Sequence, residues 1–267
     1  MVEEDLILDG TDLNGACDCA IHIYDSARPL APNANFAPPD APLAAYPLPK
    51  AAPWFSRVVL SQPTAYGFDN SLLLQAQAKR GDSARAVIVV PPDITDLELE
   101  RLHIAGARGV RFMLQGGGAL DPTALPGLAA RIGPLGWHVK LQAAAAAVPA
   151  LVRGLPILSV VDVHPATFPQ GRDARFLDLF RTAEIVVALS APFPGQLQDC
   201  GPFDALVEEL IGIAPDRVIW AGNWPHVKAL PPADPLDPVR WLADRAGETM
   251  VLRRILVETP AHLFGFR

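Results

Sequence analysis

The chain has 267 residues, of which 50% are apolar and 19% are charged, and its formal net charge is −7. This composition indicates a folded globular protein and disfavours nucleic-acid binding through bulk positive charge. No window approaches the roughly 18 unbroken apolar residues of a membrane span, so no membrane partner is expected. The expected partner is a small molecule, and an anion is compatible because a local arginine can outweigh the global sign.

The cysteines predict a reducing compartment. Their number is odd, and Cys17 and Cys19 are too close in sequence for an ordinary disulfide scaffold. The first five residues, Met1 to Asp5, are acidic where a signal peptide would be basic. We therefore expect a soluble, cytoplasmic protein, whose oligomeric state the sequence leaves open.

Eight short runs rich in β-branched residues recur along the chain and are predicted to be strands. They are Ala16–Ile23, Ser56–Gln62, Ala84–Val90, Gly109–Leu114, Trp137–Gln142, Ile157–Val163, Ile185–Ser190 and Arg217–Gly222. Helical spacing predicts helices over residues 69–80, 95–106, 123–133, 145–153, 173–182, 203–213, 236–246 and 249–257. Helix N-caps are expected at Asp173, Asp204 and Thr249.

The alternation of strands and helices predicts parallel strands, because a parallel connection needs a crossover. Eight such units in a chain of domain size favour a single (β/α)8 barrel of the α/β class over residues 16–267, after an N-terminal arm at 1–15. The alternative is an open doubly wound sheet. Eight prolines between Pro29 and Pro53 predict an irregular loop, which we expect to lie over the barrel mouth.

Chemistry in such barrels takes place at the carboxyl ends of the strands. Period-two alternation puts Asp18, Ala20 and His22 on one face of the first strand, and we predict that this face points into the barrel mouth. The same alternation puts Asp162 and His164 together at the end of the sixth strand. Asn223 and His226 follow the eighth strand.

Arg111 lies inside the fourth β-branched run, where a buried guanidinium needs a counter-charge. A substrate carboxylate would satisfy it through two parallel hydrogen bonds, and an ion pair with Asp18 or Asp162 is the alternative. The fifth run places Lys140 on a polar face, where a desolvated amine could form a Schiff base. Pairing of this lysine with a carboxylate is the more common outcome.

Five segments, taken in chain order, resemble the amidohydrolase-related (amidohydrolase 2) family. They are Asp18-Cys19-Ala20-Ile21-His22, Tyr66-Gly67-Phe68-Asp69-Asn70, Ala107-Arg108-Gly109-Val110-Arg111-Phe112, Arg217 to His226, and Thr259 to Phe266. The branch that they resemble comprises 2-pyrone-4,6-dicarboxylate lactonases and D-galactarolactone isomerases. The resemblance implies a (β/α)8 barrel that acts on sugar-acid or aromatic-derived lactones, in several relatives without a metal.

The sequence departs from the family pattern at positions that carry its chemistry. The first histidine of the opening motif is Ala20, and the strand-six histidine is Val163 unless His164 replaces it through a local bulge. The segments 114–118 and 190–194, where relatives carry further arginines, contain none.

The strand-eight aspartate of the family, which takes a proton from water, is Asn223, and an amide has no proton acceptor of useful basicity. We predict a metal-independent hydrolase of the lactonase type that acts on a small carboxylate-bearing lactone and uses no cofactor. In this prediction His22 polarises the carbonyl, Arg111 holds the carboxylate, and His164 or His226 moves protons. The alternative is a catalytically silent barrel that binds a small organic acid or a partner.

The predicted catalytic residues are His22, Asn223, His164 and Asp18. The predicted substrate-binding residues are Arg111, Thr64, Tyr66, His138, Gln142 and His226, and no metal ligand is predicted. We expect His22, Arg111, His138, Asp162 and Asn223 to converge on one cavity at the carboxyl end of the barrel.

Overall fold

Eight parallel strands, hydrogen-bonded in chain order, form a single sheet. The computed structural model describes residues 13–182, 185–192, 199–227 and 231–267. Each strand lies in or overlaps one of the eight predicted runs. The strands are β1 Cys17–Ile21, β2 Arg57–Ser61, β3 Ala84–Ile88, β4 Ala107–Met113, β5 His138–Gln142, β6 Ser159–Val163, β7 Ile185–Leu189 and β8 Val218–Trp220.

The sheet curls round so that the segment after β8 meets β1. The backbone N–H of Asn223 donates to the carbonyl oxygen of Ala20 at 2.7 Å, and that of His22 donates to Trp224 at 2.8 Å. With a helix or helical turn after each strand, this arrangement is the predicted (β/α)8 barrel, and the open doubly wound alternative is wrong. The same contacts set Asn223 beside His22 at the carboxyl end of the strands.

Eight of the ten α-helices formed by the described residues overlap segments where helical spacing predicts them. The ten helices are α1 Leu48–Ala51, α2 Ser71–Arg80, α3 Asp96–Ile104, α4 Leu125–Ile132, α5 Val148–Val152, α6 Ala174–Thr182, α7 Gly201–Ile213, α8 Asp237–Ala246, α9 Thr249–Arg253 and α10 Thr259–Phe264. The first helix lies inside the proline-rich segment 29–53, so the prediction of an irregular loop is wrong over those four residues, where a proline is tolerated in the first helical turn. The last helix follows the final predicted segment. A π-helical turn, Arg254–Glu258, joins the last two. Short 3-10 turns stand at Leu43–Ala45, Thr64–Tyr66, Gly81–Ser83, Pro122–Ala124, Gly133–Leu135, Ala145–Ala147 and Pro215–Arg217.

One of the three predicted N-caps is confirmed. Asp173 precedes α6 and accepts from the backbone N–H of Phe176 at 2.9 Å. Asp204 lies inside the first turn of α7, where it pairs with Arg245 of α8, and Thr249 is the first helical residue of α9. Those two predictions are wrong because a tertiary ion pair uses the Asp204 carboxylate and α9 begins one residue earlier than expected.

Two apolar layers hold the barrel together. Alternate strand residues such as Val58 and Leu60 pack outward against the helices, while Val59 packs in the lumen with Phe264 and Phe266. The ring of His138, the first residue of β5, meets Phe264 edge-on with 5.3 Å between ring centroids. The C-terminal phenylalanines therefore close the amino end of the lumen and leave the carboxyl end for a site.

The N-terminal arm expected at residues 1–15 falls mostly on residues 1–12, which lie outside the described residues. Leu13, the first described residue, is buried in the core. Within the described ranges, no helix combines the length and the apolar character needed to cross a membrane.

Candidate active site

A cavity of about 380 Å³ opens at the carboxyl ends of the strands. It is lined by His22, Tyr24, Phe36, Pro63, Thr64, Arg111, Met113, Gln115, Gly116, Gln142, His164, Ala166, Asn223, Pro225, His226 and Val227. Seven of the ten predicted site residues are among them. The other three, Asp18, Tyr66 and His138, lie elsewhere.

His22 follows β1 and is held from both sides of its ring. Nδ1 lies 2.9 Å from the carbonyl oxygen of Ser61, and Nε2 lies 3.1 Å from Oδ1 of Asn223. Burial lowers the pKa of His22 to about 3, and the positive charge of Arg111 lowers it further. The ring is therefore neutral at physiological pH and carries a single proton.

The position of that proton follows from its partners. A carbonyl oxygen only accepts, so Nδ1 carries the proton and donates it to Ser61, which leaves a lone pair on Nε2. The side-chain amide of Asn223 must then present its NH2 group to Nε2, since O and N of an amide are assigned from the hydrogen-bond network. Asn223 has a φ of 58°, a left-handed conformation in which Asn and Asp are enriched. His22 thus offers the cavity a proton acceptor and no donor.

His164 carries its ring proton on the other nitrogen from His22 and presents a donor to the cavity. The backbone N–H of Ala166 donates to its Nδ1 at 3.0 Å, and burial lowers the pKa of His164 although nearby Asp162 acts against that shift. The neutral ring must carry its proton on Nε2, so the hydrogen-bonding group that His164 brings to the cavity is an N–H. Val163 packs outward in the core, and His164 reaches the cavity because it is the first residue beyond β6.

His226 and Tyr24 complete the polar rim. Burial lowers the pKa of His226 to about 4, and the neighbouring His164 lowers it further. Burial raises the pKa of Tyr24 to about 12, with the charge of Arg111 acting against it. Both side chains are therefore uncharged at neutral pH.

Arg111 lies at the base of the cavity and is 6% exposed. Nη1 donates to the carbonyl oxygen of Gln62 at 2.8 Å, and Nη2 donates to Oε1 of Gln142 at 2.7 Å. Nε is buried and has no hydrogen-bond partner within the part of the chain that the structure describes. Every partner of this buried cation is therefore a neutral oxygen.

The ion pair proposed as an alternative for Arg111 does not form with Asp162. That carboxylate lies 3.4 Å from Nζ of Lys140, and both side chains are nearly buried. Among residues 13–182, 185–192, 199–227 and 231–267, no acidic oxygen lies within 4.0 Å of the Arg111 guanidinium. Neither Lys140 nor Asp162 lines the cavity, so the expectation that Asp162 converges on it is wrong, and the geometry gives no support to Schiff-base chemistry at Lys140.

The prediction that Asp18 faces the barrel mouth is wrong. The β1–β2 register shifts between Asp18 and Ile21, and Cys19 and Ala20, although adjacent, both pack in the lumen cluster. This bulge breaks the period-two alternation on which the prediction depended. The Asp18 carboxylate lies outside the cavity lining.

Asp18 instead joins the two ends of the sheet. It accepts from the Tyr46 hydroxyl at 2.8 Å and from the backbone N–H of Gly222 at 2.7 Å. A Cβ at Gly222 would overlap this carboxylate, which explains the glycine. Burial raises the pKa of Asp18 to about 6 against the effect of these hydrogen bonds. Its role in the described structure is to close the barrel.

Tyr66 and His138 are also misplaced by the sequence prediction. The Tyr66 hydroxyl bonds to the backbone N–H and the carbonyl oxygen of Asp25, each at 2.9 Å, and supports the loop after β1. His138 begins β5, so it faces the lumen at the amino end of the barrel. Neither ring nitrogen has a hydrogen-bond partner in the described structure, and burial lowers the pKa of His138 to about 3.

Sequence reasoning missed several lining residues. Tyr24 stands two positions after His22, and Met113 stands two positions after Arg111, so extending the alternation past the strand ends would have found both. Phe36 comes from the proline-rich segment 29–53, which therefore contributes to the cavity. No local pattern marks this phenylalanine.

The two segments without arginine have different outcomes. Segment 114–118 reaches the site, where Gln115 lines the cavity and its Nε2 donates to the carbonyl oxygen of Ala166 at 3.2 Å. In segment 190–194, the Ser190 hydroxyl donates to the carbonyl oxygen of Ala221 at 2.8 Å, and residues 193–194 lie outside the described residues.

The donors of the site do not fit a metal centre. In the described part of the chain, no three His, Cys, Asp or Glu side chains lie close enough together to hold a metal ion. Nδ1 of His164 already accepts from a backbone N–H, so the neutral ring of His164 has no lone pair left for a metal. A catalytic zinc needs three protein ligands, which this arrangement does not supply.

Comparison with known proteins finds the same type of molecule over nearly the whole chain. The family model described as Amidohydrolase matches residues 17–266. The chain is 33% identical to 2-pyrone-4,6-dicarboxylate hydrolase of Comamonas testosteroni (94% of this chain, 90% of the relative) and 31% identical to 4-sulfomuconolactone hydrolase of Hydrogenophaga intermedia (94% and 89%). It is 28% identical to D-galactarolactone isomerase of Agrobacterium fabrum (94% and 91%).

Proposed function

The chain belongs to the amidohydrolase family, and we propose that it hydrolyses a small lactone that carries a carboxylate. Two of its relatives are named as lactone hydrolases and a third as a lactone isomerase. The observation that carries the proposal is the buried guanidinium of Arg111, whose partners are neutral, beside three neutral histidines in one cavity.

A buried cation without an anionic partner is costly, and a ligand carboxylate removes that cost. Arg111 still has three N–H hydrogens to donate, because Nη1 and Nη2 each use only one of their two hydrogens on Gln62 and Gln142, and Nε–H has no partner among the described residues. A carboxylate at the base of the cavity accepts from the guanidinium and neutralises its charge. The ring of the substrate then extends toward the histidines at the mouth.

The proton positions support roles for His22 and His164 that are the reverse of those expected from the sequence. His164 donates its Nε2–H to the lactone carbonyl oxygen and stabilises the negative charge that develops there. His22 takes a proton from the attacking water at Nε2, and Nδ1–H bonded to Ser61 keeps its ring in that orientation. The attacking water displaces the amide of Asn223 from Nε2, because these two side chains are otherwise in direct contact at 3.1 Å. After the water oxygen bonds to the carbonyl carbon, the ring C–O bond breaks and His22 returns its proton to the ring oxygen that leaves.

Substrate binding also strengthens the base. The charge of Arg111 is the second cause of the low pKa of His22, after burial. A carboxylate bound to Arg111 cancels that charge and so raises the pKa of His22 when substrate is present. The reaction proposed here uses no metal and no cofactor.

The test is a hydrolysis screen of five- and six-membered lactones with and without a ring carboxylate, beside zinc analysis of the purified protein. Arg111→Lys keeps the charge and loses the planar donors, and should lower kcat/KM for the carboxylated lactones only. Arg85→Gln is the matched control, since Arg85 is also a buried arginine that bonds to backbone carbonyl oxygens, at the amino end of the barrel.

Two results would overturn the proposal. Stoichiometric zinc that is required for turnover would show that the donor set has been misjudged. Binding of carboxylates without hydrolysis of any lactone would favour the silent barrel, a reading that Asn223 and the weak base His22 support.

A further inference from the structure

We infer that the substrate of this cavity carries one carboxylate and presents an apolar face to the aromatic side of the cavity wall. The inference rests on the proposed function only in taking the substrate to be a lactone. The number of carboxylates and the apolar face are inferred from the charge and the chemistry of the cavity wall. It differs from the substrate in the name of one relative, which is a 4,6-dicarboxylate.

The cavity holds one positive charge. Arg111 is the single cationic side chain among the described residues that line it, and that lining includes no aspartate or glutamate. His22, His164 and His226 are neutral, because burial lowers the pKa of each. Lys140, the next cation toward the lumen, is paired with Asp162 and does not reach the cavity.

The remaining wall carries no second charge among the described residues, since its other polar side chains are neutral, namely those of Thr64, Gln115, Gln142, Asn223 and the three histidines. Aromatic and aliphatic side chains from three loops and from the end of β4 also face the cavity, namely Tyr24, Phe36, Pro63, Met113, Pro225 and Val227. Tyr24 and Phe36 pack edge to face with 6.1 Å between ring centroids, so these two rings form a continuous apolar surface. A second carboxylate would be desolvated here without a cation or an ion-pair partner, which is unfavourable.

The experiment measures binding of inert acids, so its result does not depend on turnover. Isothermal titration calorimetry compares benzoate, benzene-1,3-dicarboxylate and gluconate. We expect benzoate to bind more tightly than either of the others by about tenfold or more, because only benzoate matches both the charge and the apolar wall. Arg111→Gln should weaken benzoate binding by about thirtyfold or more, and Arg85→Gln should leave it unchanged.

Gln115→Arg provides the converse test. Gln115 lines the cavity, and an arginine there adds the missing second cation. This variant should shift the preference from benzoate toward the dicarboxylate. Lys228, which lies outside the described residues, is tested with Lys228→Ala, and we expect the preference for benzoate to be unchanged.

Equal or tighter binding of the dicarboxylate by the unmodified protein would overturn the inference, as would a loss of preference in Lys228→Ala. If gluconate bound as tightly as benzoate, the part of the inference that gives the substrate an apolar face would be overturned. Failure of the proposed function gives a different result, in which benzoate binds through Arg111 as expected while no lactone is hydrolysed.

Discussion

Replacing Asn223 with aspartate tests the central contact of the site. Asn223→Asp keeps the size of the side chain, and aspartate tolerates the left-handed backbone at this position. The change puts a carboxylate 3.1 Å from Nε2 of His22 and removes the NH2 donor. A lone pair and a carboxylate in contact repel, so His22 is expected to bind a second proton and form an ion pair with the new aspartate.

The size of the effect follows from the distance. Two unit charges 3.1 Å apart attract by about 5 kcal/mol at an effective dielectric constant of about 20. That energy corresponds to about 4 pKa units. The pKa of His22 should therefore rise from about 3 in the unmodified protein to about 7 in the variant.

Nuclear magnetic resonance titration of isotope-labelled histidine measures this shift directly, with Asn223→Ala as the control that removes the amide without adding charge. Hydrolysis should increase by about 10²-fold near pH 7, since a positioned general base typically contributes 10²–10⁴-fold. A His22 pKa that stays below 4 in the variant would refute the contact. Brisk hydrolysis by the unmodified protein that Asn223→Asp slows would show that Asn223 itself orients the water.

Three further predictions concern single groups. Asp18→Asn should stabilise the protein at pH 8 by on the order of 3 kcal/mol, because burial raises the pKa of Asp18 from 3.8 to about 6. The free energy of folding that the protonated Asp18 contributes is fully present below pH 4 and is lost as the pH rises through 6. Chemical denaturation at pH 4 and pH 8 measures this, and an unchanged pH dependence would contradict it. His138→Leu should stabilise the protein by about 1–3 kcal/mol at pH 7 by removing two buried nitrogens without partners. It should also reduce the loss of stability as the pH falls from 6.5 toward 3, the window in which unfolding protonates His138, and His262→Leu at the surface is the control. The acid limb of kcat should lie at higher pH than that of kcat/KM, because bound carboxylate raises the pKa of His22; coincident limbs would show that Arg111 does not tune the base.

The barrel could be predicted from the sequence because its signals are local and repeated. Runs such as Val87-Ile88 in β3 are buried on both faces, which is the pattern of a central parallel strand. Each crossover carries helical spacing, so the order of elements alone indicates the fold. The position of His22, Arg111 and Asn223 at one end follows from the same logic, since each stands at or after the carboxyl end of a strand.

The errors at Asp18 and His138 have one common cause. Strand alternation predicts which face of a strand a residue occupies, but it predicts neither the bulges in the strand nor the end of the barrel at which the residue lies. A bulge after Asp18 turns that carboxylate away from the mouth. His138 faces the lumen as alternation requires, but at the closed amino end. The proton positions of His22 and His164 were beyond any sequence pattern, because the backbone groups that fix them come from Ser61 and Ala166.

Two of the departures from the family pattern, Ala20 and Asn223, meet at one seam of the barrel. Ala20 and Asn223 are in direct contact, since the backbone N–H of Asn223 donates to the carbonyl oxygen of Ala20. Arg111 and His164, which bind and polarise the substrate in the proposed reaction, stand on β4 and after β6, away from that seam. Binding and carbonyl activation can therefore persist while proton removal from water is altered. In the proposed reaction, the rate of water attack therefore depends on how well His22 replaces a carboxylate.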